Sequence, residues 1–382
     1  HAGLAAQHRA YLPRPGAAVT DPRRVLHAAA PGLPDATALA SRPKVVVVGA
    51  GIAGLAAATA LAERGVAVEI LEREHYLGGR VGGCLERLPD GTPVAMNRGF
   101  HAFFRQYYNL RALLRRVDPE LSMLSPLDDY PLVDALGRRD TFRGLPGTPP
   151  LNAIAFALRS PTFRLRDLVR PNARAAAPVA AVSVPETYHQ LDDLDAETFL
   201  RDINFPEAAR HLAFEVFSRS FFTRPAALSA AELATMFHIY FLGSSEGLVF
   251  DVATANFDVA LWQPLEEYLK SLGVEVHTGT QAHRLTVTDT GGFVVTDGSG
   301  TDINADGVVL AADVAALPGI VANSTGLDPQ WCDQIAQLRT DLGLDQPFFV
   351  QFWHFLINAS QGEFGLSLRQ GAKVSRLIGE RF

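Results

Sequence analysis

Hydrophobic positions fall into three regimes along this chain. Val45–Val48 is an unbroken β-branched run, the pattern of a strand buried on both faces of a parallel sheet. Ile52–Arg64 spaces Ala and Leu at helical intervals until Gly65 stops it, and Val66–Leu71 reads as a second strand. Strand, helix and strand fill about 30 residues, the length of a parallel crossover unit. Helical spacing then dominates at Tyr107–Val117, Asn152–Arg159, Ala196–Asp202, Glu207–Phe222, Ala230–Leu242 and Leu261–Leu272. Proline-rich loops at Pro146–Pro150 and Pro171–Pro185 separate these helices. In the third regime strand patterns return at Val274–His277, Ala282–Thr288 and Phe293–Thr296, with glycine turns at Gly291-Gly292 and Gly298–Gly300. Val308–Ala311 repeats the pattern of the first strand and is predicted to rejoin its sheet. The order predicts an α/β fold interrupted by a mostly helical insertion.

Composition narrows the partners. The 382 residues are 48% hydrophobic and 20% charged, an ordinary globular balance with room for two domains. A net charge of −7 argues against nucleic acid, whose phosphates need a basic footprint. Cys84 and Cys332 can form neither a disulfide framework nor a Cys/His metal site, so no metal is expected. No uninterrupted apolar run reaches membrane-spanning length, and the start lacks the pattern of a secretory signal.

The sharpest motif is Gly49-Ala50-Gly51-Ile52-Ala53-Gly54, placed between the first strand and the first helix. Gly49 permits the tight turn, Gly51 lets the backbone approach a pyrophosphate, and Gly54 lets the helix pack on the sheet. The helix N-terminus supplies N–H donors and a positive dipole end to that anion. Glu72 ends the second strand, where a carboxylate can accept hydrogen bonds from a ribose diol. Gly78-Gly79-Arg80 offers a second close backbone approach, with a guanidinium beside it.

Spaced in this way after Glu72, the second glycine motif resembles the flavin-containing amine oxidase and carotenoid desaturase superfamily. Asn97-Arg98-Gly99-Phe100-His101 resembles the segment near the flavin there. The stretches His101–Leu110 and Met236–Gly247 are similar to bacterial β-carotene desaturase/methylases, the isorenieratene synthases, and the likeness runs from about residue 10 to about 345. The resemblance implies bound FAD and a C40 carotene with β-ionone rings. It implies dehydrogenation of each ring with migration of one methyl, giving an aromatic end group. A Rossmann-like FAD-binding domain, a parallel sheet plus a β-meander, is expected from residues 43–119 and 259–345. Residues 120–258 form the expected helical substrate domain and 1–42 a mobile basic arm. Residues 346–382 read as an atypical C-terminus, truncated or altered, without the Gly-Asp turn that gives the superfamily a second FAD contact.

Arg73, Ala282 and Ala312 complete the expected cofactor-binding set of Gly49, Gly51, Gly54, Glu72, Gly78, Gly79 and Arg80. Arg80, His101 and His238 are the catalytic candidates, Arg105 could pair with flavin or phosphate oxygens, and Glu215 and Glu246 are further candidate bases. Phe217, Phe221, Phe222, Phe237, Tyr240 and Phe241 could line a carotene tunnel. The alternatives are ordinary helix-packing core for these aromatics and a satisfied histidine for His238. A carotene must come from a membrane, so a cytoplasmic, peripherally membrane-associated protein is expected. Ala153, Ile154, Phe156, Ala157 and Leu158, followed by Arg159, Arg164, Arg166 and Arg170, suit interfacial docking, or else pack on the core. Rival functions are another desaturase of the phytoene type, an amine oxidase, and a non-catalytic isoprenoid-binding protein of the same fold.

Overall fold

The computed structural model describes residues 35–134, 136–163, 172, 174–207, 223–243 and 250–341. Most of the N-terminal arm, Glu215, Phe217, Phe221, Phe222, Glu246, Arg164, Arg166, Arg170 and residues 346–382 lie outside them. The described chain forms two compact units. One comprises residues 35–79 and 269–341, the other residues 80–268.

The first unit is built on a four-stranded parallel sheet in the order Glu275–His277, Ala67–Leu71, Lys44–Val48, Gly307–Leu310. The valine run takes a central place because both its faces are covered: Val46 and Val47 are fully buried, in register with Glu69 and Ile70 on one side and Val308 and Val309 on the other. Val308–Leu310 rejoins this sheet as the pattern predicts. Helix Ile52–Ala62 buries Leu55 and Ala58. A three-stranded antiparallel meander, Ala282–Val287, Phe293–Asp297 and Asp302–Ala305, shares a core with the sheet through Leu285, Val295, Val46 and Leu71. The third meander strand, Asp-Ile-Asn-Ala, is too short and polar to stand out in the sequence.

The second unit opens with a hairpin, Gly83–Arg87 against Pro93–Asn97. A small sheet follows, in which Phe250–Ala253 lies between Phe103–Phe104 and Leu124–Pro126. The sequence pattern drew the domain division at 119/120 and 258/259. In the structure residues 80–119 group with the helical region because they pair with it: Phe103 and Phe104 bond Asp251 and Phe250, and the Asn97 carboxamide accepts the Phe257 N–H at 2.8 Å. Helices Leu151–Arg159, Glu186–Leu191, Ala196–Asp202 and Ala230–Phe237 enclose a core of Phe142, Phe156, Phe199, Leu200, Leu233 and Phe241. The predicted helix over 230–242 is α-helical only to Phe237. It then widens to a π-turn over His238–Leu242, a distortion frequent at functional sites. A second π-turn, Asp258–Trp262, precedes helix Gln263–Ser271.

The predicted docking face on Leu151–Arg159 needs correction. Phe156 does not share a face with Ile154 and Leu158 in solvent; it is buried and stacked on Phe142 at 4.9 Å. Among the described residues no helix is long and apolar enough to cross a membrane.

Candidate functional site

The glycine loop is shaped by two different demands. Gly49 has φ +99°, and a Cβ there would lie 2.6 Å from the Ala311 carbonyl oxygen, so the turn itself requires glycine. A Cβ on Gly54 would lie 1.9 Å from the Gly49 carbonyl oxygen, so helix and turn touch backbone to backbone. Gly51 is different. Its φ of −70° and ψ of 179° suit any residue, and a Cβ there would meet nothing within 4 Å. It caps helix Ile52–Ala62 without any side-chain bond, and no acidic residue stands in the first turn. The helix therefore presents its unpaired N–H groups and positive end to open space, the arrangement an anion requires.

The second glycine pair abuts the first. The Gly78 N–H donates to the Ala50 carbonyl at 2.8 Å, and Gly51 and Gly78 form a parallel bridge. Gly79 has φ +56°, and a Cβ there would lie 3.2 Å from the Gly51 Cα, a tight approach. Glu72 is 6% exposed and points into the same loop. Its Oε2 accepts the Ala50 N–H at 2.6 Å and its Oε1 accepts the Glu74 N–H at 2.9 Å. Each oxygen keeps acceptor capacity for a hydroxyl donor. An adenine dinucleotide fits this donor set, with its diphosphate at the helix start and its ribose at Glu72.

The remaining candidates of this unit divide. Ala312 adjoins the loop, its N–H nitrogen 3.3 Å from where a Gly49 Cβ would stand. The Ala282 side chain is buried in the core between sheet and meander, which leaves only its main chain for a ligand. Arg73 is held by protein carboxylates, Asp313 at 3.1 Å and Glu74 at 3.2 Å. Sequence reading missed a Glu69, Glu275 and His277 group on neighbouring strands whose ligand atoms lie within 4.8 Å of one another. Lys44 already pairs with Glu69 there, at 2.7 Å.

In the second unit the loop carrying Arg80 is fixed by three successive carbonyls. The Arg80 oxygen lies 3.0 Å from His101 Nε2, the Val81 oxygen accepts from Trp262 Nε1 at 2.7 Å, and the Gly82 oxygen accepts from the Arg98 N–H at 2.9 Å. The Arg80 guanidinium stays exposed. His101 Nε2 also lies 3.1 Å from the Arg98 carbonyl. Carbonyls only accept, so Nε2 carries a proton and donates. This makes His101 a positioning residue for Arg80. His101→Gln, whose amide nitrogen can replace Nε2, is expected to keep bound flavin and turnover near the wild-type level. His101→Ala is expected to lose about fivefold, from a hydrogen bond worth about 1 kcal/mol. Flavin content and turnover of both variants check this; a glutamine variant as impaired as alanine would assign His101 a proton-transfer role instead.

His238 is tied down as well: its Nδ1 bonds the Val179 carbonyl at 3.0 Å, linking the π-turn to helix Ala177–Ala180. Arg105 lies 3.7 Å from Asp251, and the same carboxylate forms a buried ion pair with Arg111. The Arg105 guanidinium thus faces a protein carboxylate. Phe241 belongs to the core, with Phe237 stacked on it at 4.8 Å. Tyr240 packs 4.5 Å from Phe104, and its hydroxyl lies 3.1 Å from that of Tyr107. Phe250 contacts Phe100 edge-on and Phe104 and Tyr130 at a tilt, a continuous set of rings that sequence reading missed because its members are far apart in the chain. Burial pushes the Tyr130 and Tyr240 hydroxyls well above the usual phenol range, so both stay neutral.

Comparison with known proteins agrees with this geometry. Residues 52–341 match the family model for flavin containing amine oxidoreductase. A carotenoid phi-ring synthase of Streptomyces griseus is 58% identical over 299 residues, 78% of this chain and 58% of that protein. One from Chlorobaculum tepidum is 31% identical over 73% of this chain and 42% of its own length. The chain thus spans about half the length of these curated relatives. Among solved structures, putrescine oxidase bound to putrescine superposes with a TM-score of 0.53 at 18% identity, covering 78% of this chain and 63% of that one. Cyclohexylamine oxidase from Brevibacterium oxydans gives 0.51 at 18% identity, with the same coverage of both chains. These neighbours share the fold. With the family model covering most of the chain, this protein belongs to the flavin-containing amine oxidoreductase family.

Proposed function

We propose that this protein is an FAD-dependent carotenoid oxidoreductase that dehydrogenates β-ionone end rings of β-carotene and shifts a methyl group, yielding aromatic end rings. The observation that carries this reading is the 58% identity to a carotenoid phi-ring synthase over 78% of the chain. The geometry supports it. Gly51 and the start of helix Ile52–Ala62 would hold the diphosphate, Glu72 the ribose hydroxyls, and Gly78 and Gly79 a second close approach. FAD, when bound, supplies the two-electron acceptor that no side chain can replace.

The chain's own residues have the remaining tasks. The loop of Arg80, pinned by His101, Trp262 and Arg98, sets where that guanidinium stands. Loss of hydride beside a quaternary carbon leaves a cation, to which a neighbouring methyl can migrate before a proton departs; a second loss of hydride and proton from the same ring completes the arene. The rings of Phe104, Tyr130, Tyr240 and Phe250 offer faces that stabilise positive charge without capturing it. Their phenols are neutral, so no phenolate is present to trap the cation. The substrate is insoluble in water, which places the protein at a membrane surface, as a cytoplasmic peripheral protein.

The test is product analysis. The FAD-loaded full chain, given β-carotene in lipid or detergent, is expected to yield carotenoids with trimethylphenyl end groups, identified by mass and absorption spectrum. A product with added conjugation but intact geminal methyl groups would replace this reading by a desaturase without methyl transfer.

A further inference from the structure

We propose that the outer side of helix Leu151–Arg159 docks on an anionic lipid surface. The proposal deepens the carotenoid reading and rests on it for the reason to visit a membrane. The helix is held from within by two residues on one side. The buried Asn152 carboxamide donates to the Phe241 carbonyl at 2.7 Å, and Phe156 stacks on Phe142. These contacts fix its rotation. Leu151, Ile154 and Leu158 then stand outward at helical spacing, 56%, 50% and 58% exposed. This aliphatic stripe is turned away from the core, on a helix locked from its other side, and stays half-exposed.

Charge says what covers it. Residues 138–174 contain eight arginines, no lysine and no glutamate, with Asp140 and Asp167 the only acidic residues. This stretch is thus +6 in a chain of −7. Asp140 is buried and accepts from the Thr162 hydroxyl at 2.9 Å, so it does little to offset the arginines at the surface. Arg139, Arg143, Arg159 and Arg174 are exposed. Arg159 ends the helix and also bonds the Gly144 carbonyl at 3.3 Å, next to Arg143. An apolar stripe with basic flanks matches acyl chains under anionic headgroups. A symmetric second copy is disfavoured, because a two-fold interface would set the same positive segment against itself.

The test uses the FAD-loaded full chain and vesicles of phosphatidylcholine with or without phosphatidylglycerol. The wild type is expected to float with the anionic vesicles and to be released by high salt. Leu151→Ser/Ile154→Ser/Leu158→Ser is expected to partition about tenfold less, through lost apolar insertion. Arg143→Gln/Arg159→Gln/Arg174→Gln is expected to lose the preference for anionic lipid. Flavin absorbance and turnover of detergent-dispersed β-carotene should be unchanged in both variants. Equal flotation of wild type and the serine variant overturns the proposal, as does a wild type that stays with the aqueous fraction. A dimer in solution that the serine variant dissolves also overturns it and assigns the stripe to a second copy. A wild type that makes aromatic product from detergent but never floats removes the docking surface and leaves the function standing. One that floats but makes no aromatic product does the reverse.

Discussion

Asp251→Ala is expected to destabilise the protein by about 3–5 kcal/mol, the usual cost of removing one partner from a buried ion pair. Asp251 and Arg111 are 6% and 8% exposed, on a strand and a helix that the chain reaches far apart in sequence. Arg111 also donates from Nε to the Phe104 carbonyl at 3.2 Å and from Nη2 to the Phe103 carbonyl at 3.1 Å. Without the carboxylate a guanidinium remains buried against two carbonyls, with no anion to offset its desolvation. Removing both charges, in Arg111→Leu/Asp251→Leu, should cost less than removing Asp251 alone, since nothing charged is then stranded. Urea midpoints of the three proteins check this. A single-variant loss under about 1 kcal/mol would show that the Arg111–Asp251 pair, whose carboxylate Arg105 also faces at 3.7 Å, lies in a wetter site than these burials imply. The same variant should also disturb the aromatic set, because Phe103–Phe104 is the strand that Arg111 holds against Phe250–Ala253.

The parts of this molecule legible in its sequence are those where one local rule decides the structure. The valine run is a central strand because both its faces are buried, and the glycine loop follows it at the spacing a dinucleotide turn requires. Glu72 could be placed at the tip of the next strand by counting alone, although its bonds to Ala50 and Glu74 could not be foreseen. Where distant segments meet, local pattern is silent. Nothing near Phe103 marks Phe250 as its neighbour, so the small sheet and the Arg111–Asp251 pair were invisible. The hairpin Gly83–Arg87 with Pro93–Asn97 was missed because it lacks an alternating apolar face: Leu85 and Met96 are both exposed. Helix Leu151–Arg159 misled for a related reason. It is apolar nearly all round, so its rotation is set by Asn152 reaching the Phe241 carbonyl and Phe156 stacking on Phe142, and this turns Ile154 and Leu158 outward.

Gly51→Val is expected to leave the protein folded and remove its flavin. The other two loop glycines are required by the protein itself, Gly49 by its positive φ and Gly54 by contact with the Gly49 carbonyl. A side chain at either position should lower stability whether or not a cofactor binds. Gly51 carries neither constraint: its backbone is extended and the space around its missing Cβ is empty of protein. Glycine there serves whatever enters that space, and a valine would fill the approach to the helix N-terminus with methyl groups. The melting temperature of the apo-variant should therefore stay within about 2 °C of the apo-wild type, a change of about 1 kcal/mol or less. Retained FAD should fall at least about tenfold, or about 1.4 kcal/mol of binding. Added FAD stabilises only a protein that binds it, so the thermal shift seen with the wild type should vanish in the variant. Gly54→Val should show the opposite signature, a lower melting temperature even without FAD. If the Gly51 variant holds FAD as tightly as the wild type, the diphosphate does not lie over this loop, and the roles proposed for Glu72, Gly78 and Gly79 fall with it.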